Sequence, residues 1–132
     1  MERHPLSALP PETDALITRI IGAALSVHRE LGPGFLESIY SAALGFQLTD
    51  DGIPFERERA VTVKYRGRLI PGQRVDFIVN NTVIVEIKSV ARLDPVFQAK
   101  VISYMRTTGL RAGLLINFNS SLLRDGIKRF VL

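Results

Sequence analysis

With 132 residues, 46% of them hydrophobic and dispersed among charges, the chain has the size and composition of one globular domain rather than a disordered or membrane-spanning segment. It has no cysteine, which excludes disulfides and thiolate chemistry. Its two histidines, His4 and His28, are too few for a zinc site of the Cys/His kind, so any metal must be held mainly by oxygen. The net charge of +4 favours polyanionic partners.

The N-terminal stretch MERHPLSALPPETD lacks the apolar region of a secretory signal, so a cytoplasmic protein is expected, with a flexible leader over residues 1–11. Glu12 and Asp14 suit the positive end of a helix. Apolar positions Ile17, Ile20, Ile21, Ala24, Val27 and Leu31 follow the helical period from there to a stop at Gly32, which predicts a helix from about Glu12 to Leu31. Its most apolar part, Ala15 to Val27, contains Arg19 and falls short of the roughly 20 residues a bilayer requires. Pro33 and Gly34 then turn the chain into a second helix, with Phe35, Ile39, Ala43 and Phe46 as its buried stripe and Gly52 as its stop.

From Ile53 the period drops to two. FERERAVTVKYRG, RLIPGQRVDFIV and TVIVEIKSV read as a meander of antiparallel strands punctuated by Gly67, Gly72 and Asn80-Asn81. Asp94 is the expected N-cap of a helix from Pro95 to Thr108 that Gly109 ends. The continuously apolar run Ala112 to Phe118 predicts a strand covered by helices on both faces, and Ile127 to Val131 a last strand at an edge. The order α-α-β-β-β-α-β-β describes an α/β fold, a mixed sheet flanked by helices, in a single domain.

The segment VDFIVNNTVIVEIKS carries the chemistry. Glu86 and Lys88 must share one face of their strand, with Val85 and Ile87 on the other. Asp76 joins them only in one hairpin register. A three-residue connection, Asn80-Asn81-Thr82, pairs Val79 with Val83 and sets Asp76 opposite Glu86, whereas a two-residue turn would separate the carboxylates. Asn tolerates the left-handed conformation that three-residue loops use, so the longer loop is expected. Opposed carboxylates on a sheet are unfavourable unless neutralised, and a divalent cation would do so, magnesium being suited to hard oxygen ligands. Lys88 alongside would stabilise a phosphate or orient an attacking water. The plainer reading is a solvated strand face with ordinary salt bridges worth about 0–1 kcal/mol.

The segment Gly34-Phe35-Leu36-Glu37-Ser38-Ile39-Tyr40 matches the signature of the GxxExxY proteins, a group within the PD-(D/E)XK nuclease superfamily. The resemblance runs from Ile20 to the C-terminus, through VHRELGPGFLESIY, RVDFIV, VIVEIKSV, SYMRTTGLRAGLLINFN and LLRDGIKRFVL. It implies a restriction-endonuclease-like fold and a magnesium-dependent nuclease, with manganese as a substitute. Asp76 and Glu86 would be the metal-binding carboxylates, Ile87 a backbone-carbonyl ligand, Lys88 the catalytic lysine and Glu37 a helix-borne acid near the metal that faces the sheet. DNA is the expected partner, with no membrane association, and a homodimer paired through the edge strand would serve to cut both strands. In this resemblance a Gln usually stands four residues before the Tyr of the following helix. Here Tyr104 is retained and Lys100 takes the Gln position; it can reach a phosphate but cannot accept hydrogen bonds. Gln98 lies nearby at the wrong spacing. His28 is read first as a packing or helix-ending residue, and Tyr40 as a core ring with a bonded hydroxyl. Arg57, Arg59, Lys64, Arg66, Arg68 and Arg74 crowd the strand region beside the site, where they would grip phosphates without reading sequence.

Overall fold

A computed structural model describes residues 9–132. Three helices and five strands follow in the order expected: α1 (Pro11–Leu31), α2 (Glu37–Asp50), β1 (Phe55–Tyr65), β2 (Arg68–Val79), β3 (Val83–Lys88), α3 (Pro95–Thr108), β4 (Ala112–Asn117), a short 3-10 turn (Leu123–Gly126) and β5 (Ile127–Val131). The sheet order is β1-β2-β3-β4-β5. The first three strands are an antiparallel meander, α3 crosses over so that β4 runs parallel to β3, and β5 returns antiparallel at the edge.

The alternation of side chains along β3 and β4 divides the interior in two. Val83, Val85 and Ile87 with Leu114 and Ile116 pack beneath α1 and α2, against Ile17, Ile20, Leu44 and Leu48. Ile84 and Leu115 face the other way, against Val101, Tyr104 and Met105 of α3. The central strands are thus covered on both faces, which is why β4 is buried throughout. The expected leader lies mostly outside the described residues, but its end is structured: Leu9 is buried in the first core, and Pro11 occupies the first turn of α1, where a missing N–H costs nothing.

The start and stop of α3 follow the sequence signals. Asp94 accepts a hydrogen bond from Val96 N–H at 2.9 Å, and Gly109 closes the helix at φ 76°. For α2 the expected stripe is wrong. Its buried residues are Tyr40, Leu44, Gly45 and Leu48, while Ile39 and Phe46 are exposed, Phe35 lies in the exposed loop before the helix, and Ala43 is only half-buried. The reason is an anchor that hydropathy does not register. The Tyr40 ring is fully buried and stacks on Phe118 at 4.8 Å, and its hydroxyl donates to Gly32 O and accepts from Phe35 N–H. Once Tyr40 faces inward, Leu44 and Leu48 follow at four-residue steps and the helix is rotated away from the Ile39 side.

Close approach of α3 to the sheet depends on Gly113 in β4, where an added Cβ would come within 2.9 Å of Val101 Cγ1 and 2.8 Å of Met105 Sδ. We predict that Gly113→Val destabilises the protein by about 1–3 kcal/mol in urea unfolding, as overpacking does; a change below a few tenths would show that α3 can shift freely.

Candidate active site

The hairpin between β2 and β3 takes the three-residue form. Val79 pairs with Val83, Asn80 and Asn81 both adopt positive φ (49° and 52°), and Thr82 N–H returns to Val79 O at 2.9 Å. Regular pairing continues only to Phe77 and Val85. One step further along that count, Asp76 stands opposite Glu86, and the ladder is replaced by a side chain: Asp76 Oδ2 accepts the Ile87 N–H at 2.8 Å. Here β2 also changes face. Phe77 belongs to the α1/α2 core and Val75 to the α3 core, although residues two apart on a regular strand share a side. Across the pair with β1, between Arg57–Phe77 and Arg59–Val75, Glu58 takes a positive φ of 49°.

Glu86 sits on the α3 side of β3 and is 2% exposed. Its Oε2 lies 3.6 Å from Lys100 Nζ, while its Oε1 is buried with no hydrogen-bond partner. Burial and then the negative charge of Asp76 push its carboxyl up from the ordinary 4.5 to about 7, against the opposing pull of Lys100 and Lys88. Burial alone would lower the Lys100 ammonium, but Glu86, Tyr104 and Asp76 outweigh it and hold the group above its usual value. Lys100 Nζ lies 5.9 Å from the centre of the Tyr104 ring, whose hydroxyl is raised by burial and by the charge of Glu86. Lys88 lies over Phe97 of α3, its Nζ 4.6 Å from the ring centre. Asp76, Glu86, Lys88 and Lys100 are therefore brought together.

Glu37 is not part of this cluster. It is exposed in the first turn of α2, and among the described residues no three acids or histidines gather as a metal-holding group. The start of α2 is nonetheless tied to the exit of β3, because Ser89 Oγ donates to Phe35 O at 2.7 Å. His28 does not turn to Glu37 either. Its Nε2 lies 2.8 Å from Ser120 O and so donates to it, tethering α1 to the loop after β4.

Sequence reasoning missed Asn117. Lying opposite Lys88 at the end of β4 and 4% exposed, it accepts from Val90 N–H at 3.0 Å and donates to Val90 O at 2.9 Å. With Phe118 N–H on Lys88 O, it fixes the path of the chain just past the lysine. The signal was an amide closing an otherwise apolar buried strand, since such a group must be paired.

Residues 14–130 match the PD-(D/E)XK nuclease superfamily. The chain belongs to that superfamily. No curated protein and no solved structure matches it. The helix-flanked mixed sheet is the restriction-endonuclease-like fold, and membership of this nuclease superfamily points to nuclease-type chemistry with a divalent metal. The donors at the site suit such an ion: two adjacent carboxylates, one with a buried oxygen that no protein donor reaches.

The pH consequence follows from Glu86. Its folded-state pKa exceeds the unfolded value, so its contribution is most favourable below about 4.5 and is lost as pH rises through about 7. We predict that thermal melts of the metal-free protein between pH 5 and 8 show wild type losing up to about 3 kcal/mol relative to Glu86→Gln. Parallel pH profiles would remove the strained carboxylate from the account.

Proposed function

We propose that this protein is a divalent-metal-dependent nuclease that hydrolyses phosphodiester bonds in DNA, with magnesium as the ion and manganese as a working substitute. The observation that carries the reading is the buried, unpartnered Glu86 Oε1 beside Asp76, flanked by two lysines. Asp76 and Glu86 would hold the ion, with the Ile87 carbonyl as a third oxygen. When bound, the ion would polarise the scissile phosphate and lower the pKa of a water.

The chain's own groups supply the rest. Lys88 places a positive charge where negative charge develops on the phosphate, an effect worth most in a partly dry site such as this one. Lys100 neutralises Glu86 before substrate arrives and, being partly exposed, can turn to a phosphate oxygen. Glu37 would act through water from the start of α2. We assign the chain to the GxxExxY group on its Gly34 to Tyr40 segment, place it in the cytoplasm, and propose a homodimer formed along the exposed β5 edge for cutting both strands.

A second reading is favoured by the Lys100–Glu86 pair, which supplies an internal cation at the site. In that reading the fold persists as a nucleic-acid-binding or protein-interaction module without catalysis. Two measurements separate the readings. Asp76→Ala and Lys88→Ala should each lower magnesium-dependent cleavage of a DNA panel by at least about 100-fold with the fold retained. Calorimetric titration with magnesium should show binding by wild type that Glu86→Gln weakens. Equal metal binding by both proteins, or full cleavage by both alanine variants, would overturn the assignment.

A further inference from the structure

β1 and β2 run for 11 and 12 residues, but β3 pairs with β2 only from Phe77 onward. The distal half of the hairpin is therefore a two-stranded ribbon that projects past the sheet. Its tip is a two-residue turn, with Arg66 at φ 50° and Gly67 at φ 77° between the paired Tyr65 and Arg68.

The charge of the ribbon is one-sided. From Arg59 to Val75 the sequence carries five cations, Arg59, Lys64, Arg66, Arg68 and Arg74, and no Asp or Glu, which is more than the chain's whole excess of +4. Arg59 pairs with Glu56, while the other four make no ion pair among the described residues. Tyr65, Leu69 and Ile70 are 59%, 65% and 51% exposed between these charges.

A second observation locates where an anion would sit. Between the ribbon and the last turn of α3 lies a cleft of about 440 Å³, walled by Lys64 and Arg106 with the hydroxyl-bearing Thr62 and Thr107. No carboxylate lines it. Arg106 follows Lys100 by six residues on α3, roughly 9 Å along the helix. Measured along a duplex axis, where each strand carries a phosphate about every 3.4 Å, that rise covers two to three phosphates, while the six-residue step turns the two side chains roughly 120° apart on the helix.

We propose that the ribbon and the end of α3 form a clamp for the sugar-phosphate backbone of the nucleic acid beside the scissile bond, with Lys64 and Arg106 on one phosphate and Arg66 and Arg68 on its neighbours at the tip. This rests on the nuclease reading, and it adds the surface that holds the substrate strand. Phosphate contacts of this kind give affinity and register but no base preference.

The test measures binding apart from cleavage. Fluorescence anisotropy of a labelled DNA duplex and a labelled single strand, with calcium in place of magnesium, compares wild type with the triple variant Lys64→Ser, Arg68→Ser, Arg106→Ser. All three positions are exposed, so the fold should survive, and circular dichroism checks it. A control variant, Arg29→Ser, Arg124→Ser, Lys128→Ser, removes the same charge from exposed positions elsewhere.

The clamp variant should bind about tenfold or more weakly, with the slope of log affinity against log salt reduced by about 0.9 per lost contact on duplex or 0.7 on single strand; the control should change little. Equal losses in both variants, an unchanged slope in the clamp variant, or no binding by wild type would overturn the clamp. So would a dimer in sedimentation that Leu69→Ser with Ile70→Ser dissociates while nucleic-acid binding is kept, because the ribbon would then be a self-association face. If wild type binds through the clamp but cleaves none of the DNA panel with magnesium or manganese, the nuclease reading fails and the clamp stands.

Discussion

The hydrogen bond from the Ile87 N–H to the Asp76 carboxylate holds the site together. At that point β2 and β3 stop pairing through their backbones, and a side chain takes over the donor that would otherwise be stranded. The bond has two effects. It satisfies a buried N–H, and it fixes one carboxylate beside a second that is more deeply buried. Glu86 pays the electrostatic cost, with one oxygen unsatisfied and its carboxyl raised to about 7. An unsatisfied buried polar atom costs about 1–3 kcal/mol, so the arrangement opposes stability locally.

That cost is carried by packing on both sides of the sheet. Val85 and Ile87 lock β3 from the α1/α2 side, and Ile84 does so from the α3 side, so Glu86 has little freedom to turn outward. The exit of β3 is fixed as firmly. Asn117 holds Val90 by two hydrogen bonds, Ser89 reaches Phe35, and Tyr40 closes the loop that leads into α2. The tyrosine of the Gly34 to Tyr40 segment thus has a structural duty, while the glutamate of the same segment stands exposed in the turn before it. What the structure gives this short segment is the anchor that aims the helix.

The parts of this fold that period and punctuation specify were legible in the sequence. The β2–β3 register follows from period two together with two asparagines that accept positive φ, and α3 is bounded by an Asp cap and a Gly stop. What depends on a single tertiary contact was not legible. The face of α2 is set by Tyr40 on Phe118, which outweighs the more apolar stripe through Ile39 and Phe46. The change of face at Asp76 leaves no sequence trace, because the positive φ opposite it falls on a glutamate rather than a glycine. Asn117 is masked in the sequence because it closes an apolar run long enough on its own to account for a buried strand.

The lysine at position 100 has a consequence that magnitudes decide. A partly exposed ion pair such as Lys100–Glu86 is worth about 0–1 kcal/mol, whereas an unpartnered buried oxygen costs more than that. The pair therefore does not complete the site, since it meets Oε2 and leaves Oε1 unsatisfied. A cation held between Glu86 and Asp76 would relieve both the orphaned oxygen and the repulsion between the carboxylates, and it would release Lys100 at small cost. A glutamine at this position could both donate and accept, and so remain bonded to its neighbours; a lysine can only donate, and once displaced by a second positive charge it is repelled. With such a cation in place, Lys100 would be freed from Glu86 as a mobile positive charge on the same helix as Arg106.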